Sequence, residues 1–539
     1  MKYLIELQQY RRCLFLFIAG FACSIVALAI HMIDPVKIIV QQKMKMTPTS
    51  YVFSLWKKPP IDVYVYVYIF NISNADAFLS GEDSLLKLNE IGPYVYQEIL
   101  ENQNVTWNKN GTISYMPRRT VIYRPDMSIG DPNDQYVTVP NIPLLGISST
   151  LHNAGFFVNF PLIRLASALQ SKPILNISVY DYLWGYEDSL VLLAGNILPS
   201  YINFRKFGLL DRMYDEGDNL VNMNIKENED MTEEVGRYLS IESINGSPGL
   251  EKWGYVREEA NETRPENKKC NRIQGASEGT VFPTHMDTRA TFRIFRKAFC
   301  RPVPIAFAKE VKKNGVPGYL YTIPENFADP PDQNPENECY CFKGECMKKG
   351  LLELTPCYYN IPAAASFPHF LDADPTLANG IEGLHPDRKK HESFVILQPD
   401  IGIPMHVHSR LQTNLVMRET HYDEKIKRFN NLTIPLFWTD LTIPSLPTDI
   451  ELLLKLGVVF APMGQVAFVF ILGLGGLSLI CYALVKLSLI LQEEQRREAA
   501  AATARRDSRI PLGAATQLCT SIHILPAVKK FTSKSDLFS

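Results

Sequence analysis

The stretch Ile61-Asp62-Val63-Tyr64-Val65-Tyr66-Val67-Tyr68-Ile69-Phe70 decides the fold predicted for this chain. Aliphatic and aromatic residues alternate along it with the side-chain period of a β-strand. Because both faces are largely apolar, we expect this strand to pack on two sides. The stretch therefore indicates a protein whose core is built on a β-sheet.

Similar stretches farther along the chain predict more strands, separated by Pro, Gly and Asn turns. In the last of them, Ile403, Met405 and Val407 fall on one face, whereas His406, His408 and Arg410 fall on the other. Repeated strands of this kind favour an antiparallel β framework, here within an α+β fold. The predicted strand regions are 92–99, 112–123, 235–244, 290–299, 318–323 and a pair within 393–417.

One region, residues 143–171, has helical patterning instead. It is rich in Leu and Phe with few β-branched runs, and it predicts two or three helices with a break near Pro161. Two interpretations are open. The apolar side chains pack against one another as a small bundle, or some of them stay exposed to engage a lipid-like ligand or a partner.

Two long apolar stretches, 13–33 and 458–485, lie at opposite ends of the chain. Each exceeds or matches the roughly 20 residues that span a membrane as a helix. The first lacks a small-x-small cleavage pattern, so we expect an uncleaved anchor. Basic residues flank the outer ends of both stretches, which places residues 1–12 and 486–539 in the cytosol and 34–457 outside. These residues are Lys2, Arg11, Arg12, Lys486, Arg496, Arg497, Arg505 and Arg506.

Seven Asn-x-Ser/Thr sequences give an independent indication of the same orientation, because such sites are glycosylated only on the lumenal side. All seven lie between the two apolar stretches, and neither terminal segment contains one. The candidate glycosylation sites are Asn71, Asn104, Asn110, Asn176, Asn245, Asn261 and Asn431.

The composition limits the class of protein further. The chain has 539 residues and a formal net charge of −2, without the basic excess that nucleic-acid binding requires. No long linker and no repeat of fixed period divides residues 34–457. We therefore predict one large domain between the anchors and no nucleic-acid partner.

Six of the ten cysteines cluster within that domain, and an even cluster outside the cytosol favours disulfides. The alternative is a metal site, but Cys339-x-Cys341 does not have the usual C-x2-C spacing. Spacing alone leaves the pairing open. The six are Cys270, Cys300, Cys339, Cys341, Cys346 and Cys357.

Small residues mark both apolar stretches. Cys13 and Cys481, near the cytosolic ends, are either palmitoylated or ordinary small membrane residues. The Gly473-x-Gly475-Gly476 sequence favours close helix contact. Ala19, Cys23 and Ala27 recur every four residues, which either forms a face for helix pairing, as in a homo-oligomer, or presents alanine to lipid.

The chain lacks the common catalytic signatures: it contains no G-x-S-x-G, no H-E-x-x-H and no G-x4-G-K-[ST] sequence. His406-x-His408 resembles the start of a metal site, but no carboxylate or cysteine is evidently paired with it, so we expect a solvated strand face. Asp372-x-Asp374 begins like a calcium loop but lacks the later oxygen ligands. The sequence therefore predicts no enzymatic activity, no cofactor and no metal.

Six motifs, in this order along the chain, identify a family. They resemble the class B scavenger receptors, which include the fatty acid translocase, the lysosomal integral membrane protein and the insect sensory neuron membrane proteins, and we expect an invertebrate member. The motifs are Ile91-Gly92-Pro93-Tyr94-Val95-Tyr96, Tyr182-Leu183-Trp184-Gly185-Tyr186-Glu187-Asp188, Phe207-Gly208-Leu209-Leu210, Phe367-Pro368-His369-Phe370-Leu371, Ile381-Glu382-Gly383-Leu384-His385-Pro386 and Arg410-Leu411-Gln412-Thr413-Asn414-Leu415.

The resemblance implies a fold and a cysteine pairing. Members of this family form a distorted antiparallel β-barrel with a helical bundle at the apex, here residues 143–171, and a largely apolar internal tunnel that runs towards the bilayer. The implied disulfides are Cys270 with Cys339, Cys300 with Cys357, and Cys341 with Cys346.

The resemblance also implies where ligands bind. The apex captures ligands, and the candidates there are His152, Phe156, Phe157, Phe160, Arg164 and Lys172. The lysine cluster that some relatives carry is missing, so strong capture of polyanions is not expected.

The implied function is a cell-surface receptor that binds lipids, such as fatty acids, sterols, carotenoids or lipoprotein particles, and passes lipid through the tunnel to the membrane. The alternatives are a docking or endocytic receptor for a protein or microbial ligand and an insect pheromone co-receptor. The tail sequence Asp507-Ser508-Arg509-Ile510-Pro511-Leu512 has Pro where a lysosomal dileucine signal needs leucine, which favours the plasma membrane over endosomes or lysosomes.

Overall fold

The computed structural model describes residues 2–197, 202–214, 217–226, 237–258, 264–421 and 423–507. The chain divides into two compact units. We call Asp34–Gln465 the central domain, and Met1–Ile33 with Val466–Ser539 the terminal unit. The candidate glycosylation site Asn261, the start of the predicted strand 235–244 and the tail beyond Asp507 lie outside the described residues.

Eighteen strands occur in the described part of the chain, all within the central domain. They are β1 Val63–Ile72, β2 Leu86–Trp107, β3 Thr112–Tyr123, β4 Tyr136–Pro140, β5 Ile174–Ser178, β6 Tyr186–Glu187, β7 Lys206–Phe207, β8 Val221–Asn224, β9 Ile241–Ile244, β10 Phe292–Phe295, β11 Pro302–Lys313, β12 Val316–Thr322, β13 Leu352–Glu353, β14 Ala363–Ser366, β15 Ile381–Glu382, β16 Phe394–Gln398, β17 Ile403–Val416 and β18 Thr433–Ile443.

Helices occur in both units, and a π-helical segment, Lys455–Phe460, joins the last two. They are α1 Lys2–Ile33, α2 Pro35–Lys43, α3 Tyr51–Lys57, α4 Ala75–Ser80, α5 Ile142–Thr150, α6 Phe156–Ala168, α7 Val179–Trp184, α8 Ser189–Ile197, α9 Leu209–Tyr214, α10 Arg388–His391, α11 Glu424–Lys427, α12 Thr448–Leu454 and α13 Ala461–Asp507.

The predicted antiparallel β framework is confirmed, and β1 lies in the middle of it. Fourteen of the described strands belong to one sheet, whose main path is β10-β11-β12-β16-β17-β18-β1-β2-β3-β8-β9. The short strands β13 and β14 attach beside β17, and β15 pairs with β2 in the parallel sense. The fold is therefore α+β with a large antiparallel sheet.

The alternating stretch behaves as its pattern predicts. Val65, Val67 and Ile69 are buried on one face of β1. The other face is half-buried, and there Tyr68 stacks on Trp438 of β18 with ring centroids 4.1 Å apart. Aromatic pairs between neighbouring strands stabilise a sheet. The strand is therefore covered on both sides, as expected.

Two long strands of the sheet were not predicted, although β18 is the direct neighbour of β1. Proline obscures both: Pro302 and Pro304 lie in β11, and Pro435 lies at a register shift in β18. Proline cannot donate to a β-ladder, so it weakens a strand signal in a sequence. The predicted strand 290–299 was too long, because β10 ends at Phe295 and a 3-10 turn, Lys297–Phe299, follows.

Residues 143–171 form two helices, but the break is not at Pro161 as predicted. Helix α6 continues through Pro161, and the chain turns instead between α5 and α6. From α6 the buried Asn159 amide donates hydrogen bonds back to the carbonyl oxygens of Leu151, at 3.1 Å, and Ala154 in that turn. These bonds satisfy backbone acceptors at the end of α5, so the turn is stable where the sequence has no proline.

The terminal unit contains the apolar parts of α1 and α13, and both helices are long and apolar enough to cross a membrane. A Cβ added to Gly20 would lie 2.6 Å from the carbonyl oxygen of Gly476, so only glycine permits this approach. Ala27 is buried and faces Gly473. Of the three small residues predicted to form a face on the first apolar stretch, Ala27 therefore lies against the second stretch of the same chain.

The two ends of the central domain are hydrogen-bonded to each other. The Gln465 amide donates to the carboxylate of Asp34 at 3.0 Å and accepts from the backbone N–H of Val36 at 3.0 Å. The segment between the two apolar helices thus begins and ends at one place.

Candidate functional site

One face of the sheet lines a row of internal cavities. Residues directly opposite each other on antiparallel strands point to the same side of a sheet. Leu441 of β18 pairs with Val65 of β1 and with Ser409 of β17, so these three residues share a face. Val407 lies on that face too, opposite Ile443. All of them contact internal space.

The main cavity lies within the central domain and has a volume of about 180 Å³. Its wall is mostly apolar, and it includes Val63, Leu100, Ile305, Val407, Leu411 and Leu441. Such a wall binds hydrocarbon through the hydrophobic effect, at about 0.8 kcal/mol for each CH₂ removed from water. The wall is thus suited to an apolar ligand.

Two smaller cavities lie near the main one. The second cavity, of about 40 Å³, shares part of its wall with the main cavity, and the third, of about 50 Å³, shares Met213 with the second. The third also contacts Ile142 of α5 and Leu436 of β18. The three cavities therefore form a row in which each contacts the wall of the next. The residues common to the main and second cavities are Arg296, Phe299, Ser409, Leu411 and Leu441.

A charged cluster interrupts the apolar wall of the main cavity. The carboxylate of Glu98 is 6% exposed and lies 3.1 Å from the guanidinium of Arg296 and 3.3 Å from that of Arg119. The hydroxyl of Tyr214 donates to it at 2.8 Å. Burial raises the pKa of Glu98, but the charges of Arg296 and Arg119 outweigh burial and hold that pKa below its usual value. The cluster is therefore ionised at neutral pH.

A second polar group contains His406 and His408 of β17. We expected this strand face to be solvated, and that prediction was wrong. Asp440 of β18 accepts hydrogen bonds from Arg410 Nε at 3.0 Å and from His408 Nδ1 at 2.8 Å, and all three side chains are buried or half-buried. His406 Nδ1 donates to the carbonyl oxygen of Ile443 at 2.9 Å, and burial lowers the pKa of His406. The carboxylate that the sequence did not reveal is Asp440, which lies directly opposite Arg410.

This group is an ion-pair network and not a cation site. A metal ion needs several converging ligands, and no three His, Cys, Asp or Glu side chains come together in that way among the described residues.

Helices α5 and α6 separate the two interpretations of the region 143–171. Leu144 and Leu145 of α5 are buried in the core with most of that helix. In contrast, α6 buries only Asn159 and Ala166, so its aromatic residues are on the surface. Helix α5 therefore packs into the core of the central domain together with residues of the sheet, and the exposed-surface interpretation fits α6.

The structure brings four of the six candidate ligand-binding residues together on α6. Phe156, Phe157 and Phe160 are 51%, 90% and 40% exposed. Phe156 and Phe160 stack with ring centroids 5.0 Å apart, and the guanidinium of Arg164 lies 5.1 Å from the centre of the Phe160 ring. We call these four residues the α6 surface.

The other two candidates lie on either side of that helix. His152 is half-buried in the turn before α6, and its Nδ1 donates to the carbonyl oxygen of Ser149 at 3.0 Å. Lys172 is exposed in the segment after α6, where its carbonyl oxygen accepts a hydrogen bond from Asn141 at 2.9 Å.

Two of the three disulfides lie in one hydrophobic cluster with Tyr340, whose ring contacts a buried arginine. The guanidinium of Arg301 lies 3.8 Å from the centre of the Tyr340 ring, and burial lowers the pKa of Arg301 to about 10. Tyr340 donates to the carbonyl oxygen of Cys270. The pairing is the one that the resemblance implies: Cys270–Cys339, Cys300–Cys357 and Cys341–Cys346.

The candidate modification sites differ in exposure. Asn71 is half-buried on β1 and accepts a hydrogen bond from the backbone N–H of Thr138 at 2.8 Å. In the terminal unit, Cys481 is exposed, whereas Cys13 is buried. The exposed candidate asparagines are Asn104, Asn110, Asn176, Asn245 and Asn431.

Sequence reasoning missed the Glu98 cluster and Asp440. Glu98 and Arg296 are 198 residues apart, and Arg410 and Asp440 are 30 apart on adjacent strands. The second pairing follows from strand register, which recognition of β18 would have provided. Nothing in the sequence links Glu98 to Arg296.

The chain is similar over most of its length to receptors and membrane proteins of mammals. It is 28% identical over 416 residues to scavenger receptor class B member 1 of Bos taurus, covering 76% of this chain and 77% of that protein. It is 30% identical over 391 residues to lysosome membrane protein 2 of Mus musculus, covering 70% of this chain and 74% of the relative.

A family model described as the CD36 family matches residues 14–487. The match includes the apolar parts of both long helices, which make the chain a membrane protein. It also includes the whole sheet and the row of cavities. This chain therefore belongs to the CD36 family, whose members are receptors and not enzymes.

Proposed function

We propose that this protein is a membrane-anchored scavenger receptor that passes lipid through the central domain along the row of cavities. Residues 34–457 lie outside the cytosol, both termini lie inside, and residues 13–33 and 458–485 are the membrane spans. The basic residues at the outer ends of the spans support this orientation. The five exposed candidate asparagines support it too, since all lie between the spans.

The proposal includes closure of the sheet into a barrel, and a short segment supports closure. Ile241 of the edge strand β9 donates its N–H to the carbonyl oxygen of Ala276 at 2.7 Å. One residue later, Ser277 donates its N–H to Arg293 of the other edge strand, β10, at 2.7 Å. The segment around Ala276 therefore hydrogen-bonds to both edges of the sheet, and a closed barrel leaves no edge exposed.

The observation that carries the proposal is the shared wall between successive cavities. A lipid with a hexadecanoyl chain gains on the order of 10 kcal/mol from burial before ordering costs. A row of apolar cavities offers comparable burial at each step, so the acyl chain of the lipid can move along the row without returning to water. No reactive group is needed for this movement.

The test is to block passage between the main and second cavities with a bulky side chain in their shared wall. Ser409→Trp places an indole where Ser409 contacts both cavities. We expect lipid transfer by the full-length protein in vesicles to fall at least tenfold, with unchanged surface expression in cells. Lys309→Trp, at an exposed position of β11, is the matched control. Wild-type transfer by a folded Ser409→Trp protein would exclude this route.

The ligands and the location are part of the same proposal. The cavities suit fatty acids, sterols, carotenoids or lipids delivered from lipoprotein particles, because these compounds share a long apolar body. The relative's name, scavenger receptor class B member 1, fits a receptor of this type. We place the protein in the plasma membrane, and the name lysosome membrane protein 2 makes the endolysosomal membrane the alternative.

A docking role is the second candidate function, and the α6 surface favours it. Large exposed apolar patches mark interaction sites on soluble surfaces, and Phe157 is 90% exposed. In this role the α6 surface binds a protein or a microbial surface, and the cavities are secondary. The combined substitution of Phe156, Phe157 and Phe160 by Ser would then abolish partner binding and leave lipid transfer intact. The pheromone co-receptor alternative stays a prediction, as does palmitoylation of Cys13 and Cys481.

A further inference from the structure

The Glu98 cluster lies where the main cavity meets the second one. Glu98 contributes to the wall of the main cavity and Tyr214 to the wall of the second, whereas Arg296 contacts both. The hydrogen bond from the Tyr214 hydroxyl to Glu98 joins the two walls over 2.8 Å. Arg296 is one of the residues that both walls share, so a ligand that moves between these cavities comes close to this cluster.

A purely apolar molecule cannot readily separate the ion pair between Glu98 and Arg296. Glu98 and Arg296 are 6% and 20% exposed, so water cannot readily replace either partner when they separate. A buried charge that loses its partner is strongly disfavoured. A neutral lipid has no charge that could replace either partner. Its passage therefore requires the free energy of separating Glu98 from Arg296.

An anionic head group avoids the cost because Glu98 has two arginine partners. If Arg296 turns from Glu98 to the head group, Glu98 keeps Arg119 at 3.3 Å. The carboxylate of the lipid then pairs with Arg296 and accepts the hydroxyl hydrogen of Tyr214. Every ion in the cluster stays paired during this exchange.

We propose that Glu98, Arg296 and Tyr214 form a polar partition that selects lipids with an anionic head group for passage between the two cavities. Discrimination arises mainly against the wrong ligand, which must separate Glu98 from Arg296 and offers no charge in exchange. The inference rests on the proposed passage of lipid through the central domain. It adds a basis for selectivity that the apolar walls alone do not provide.

The test compares fluorescent hexadecanoic acid with its methyl ester, which has the same chain and no charge. Full-length protein in vesicles is expected to transfer the acid about tenfold faster than the ester. In the double variant Glu98→Gln, Arg296→Gln the ratio falls to near one, because the ester speeds up. Tyr214→Phe removes only the bridging hydroxyl and lowers the ratio about fivefold. The control is Arg118→Gln. Arg118 lies on the same strand as Arg119, and the substitution breaks its exposed ion pair with Asp218.

The outcomes separate this inference from the route itself. Equal transfer of acid and ester by the wild type, or an unchanged ratio in a folded double variant, overturns the partition. If the double variant does not fold, the Tyr214→Phe ratio decides, and no change there also overturns the partition. Failure of the route appears differently, as undiminished transfer of both probes by Ser409→Trp.

Discussion

His369 and His391 stack ring on ring in the core of the central domain, with centroids 4.6 Å apart and an angle of 18° between the planes. His369 Nε2 donates to Glu90 at 2.7 Å, and the indole of Trp438 donates to the same carboxylate oxygen at 2.6 Å. His391 Nδ1 accepts from the backbone N–H of Asp387 at 3.0 Å. Two buried imidazoles are thus in contact, and one of them is bonded to a carboxylate that is 32% exposed.

This stack predicts a loss of stability in mild acid. Burial, then the neighbouring His369, lowers the pKa of His391 to about 4, against the opposing charges of Glu90 and Asp387. The unfolded chain therefore binds a proton between about pH 6.5 and pH 4 that the folded protein does not bind. As the pH is lowered through this window, protonation of His391 in the unfolded chain lowers the free energy of unfolding by about 1–3 kcal/mol, whereas His391 contributes no pH dependence above it.

Thermal unfolding at a series of pH values checks this expectation. His391→Gln keeps an acceptor for Asp387 but cannot titrate, so its melting temperature should change less between pH 6.5 and pH 4.5. Burial raises the pKa of Glu90, but its bonds from His369 and Trp438 outweigh burial and keep it below the usual value, so loss of this carboxylate contributes only at lower pH. The exposed His421→Gln is the control. Identical profiles for His391→Gln and the wild type would contradict the prediction.

Helices α5 and α6 should respond oppositely to the loss of large side chains. Phe157→Ser on α6 removes a ring that is 90% exposed, so the free energy of unfolding should change by less than about 0.5 kcal/mol. Leu145→Ala on α5 removes a fully buried side chain and should cost about 2–5 kcal/mol. Melting temperatures of the two full-length variants measure the contrast. A large loss in Phe157→Ser would show that α6 is covered in the folded protein.

The three disulfides should contribute unequally. Cys341 and Cys346 are 5 residues apart in sequence, whereas the other two bridges span 57 and 69 residues. A bridge that closes a longer loop removes more entropy from the unfolded chain, by about 2 kcal/mol between these cases. Replacing the short pair by Ser should therefore lower the melting temperature least. The reverse order would point to strain or to a role of the short bridge beyond loop closure.

Glycan occupancy should follow exposure if residues 34–457 face the secretory lumen. We expect glycans at Asn104, Asn110, Asn176, Asn245 and Asn431, which are exposed. Asn71 lies half-buried on a paired strand, so its occupancy should be lower. Mass spectrometry of tryptic glycopeptides before and after deglycosylation gives the occupancy of each site. Absence of all glycans in secretory-pathway expression would reverse the proposed orientation.

The sequence predicted local structure better than long-range pairing. The strand β3 was predicted within its exact bounds because Thr112–Tyr123 is a continuous β-like run between turns. Its charged residue Arg119 could not be assigned, because its partner Glu98 is reached only through the register of β2 and β3. Periodicity reports which face a residue occupies, whereas a pairing across the sheet depends on strand order, which emerges only on folding.

The same limit explains the errors on β17 and α6. The histidines of β17 were assigned to solvent because Asp440 lies on β18, a strand that its proline concealed. Pro161 was taken to end a helix, but the turn depends on the side chain of Asn159, whose bonds to Leu151 and Ala154 are tertiary details. Side-chain hydrogen bonds to the backbone can outweigh the local preference of a single residue.

The hydrogen bonds of Gln465 to Asp34 and Val36 have a consequence for protein engineering. Because the first and last residues of the central domain already touch, a short peptide between them would not stretch or distort the fold. New termini can then be opened at an exposed turn, such as the one at Asn314 and Gly315 between β11 and β12. The central domain can in this sense be circularly permuted. Its natural chain order is then only one of several orders in which the same strands can be connected.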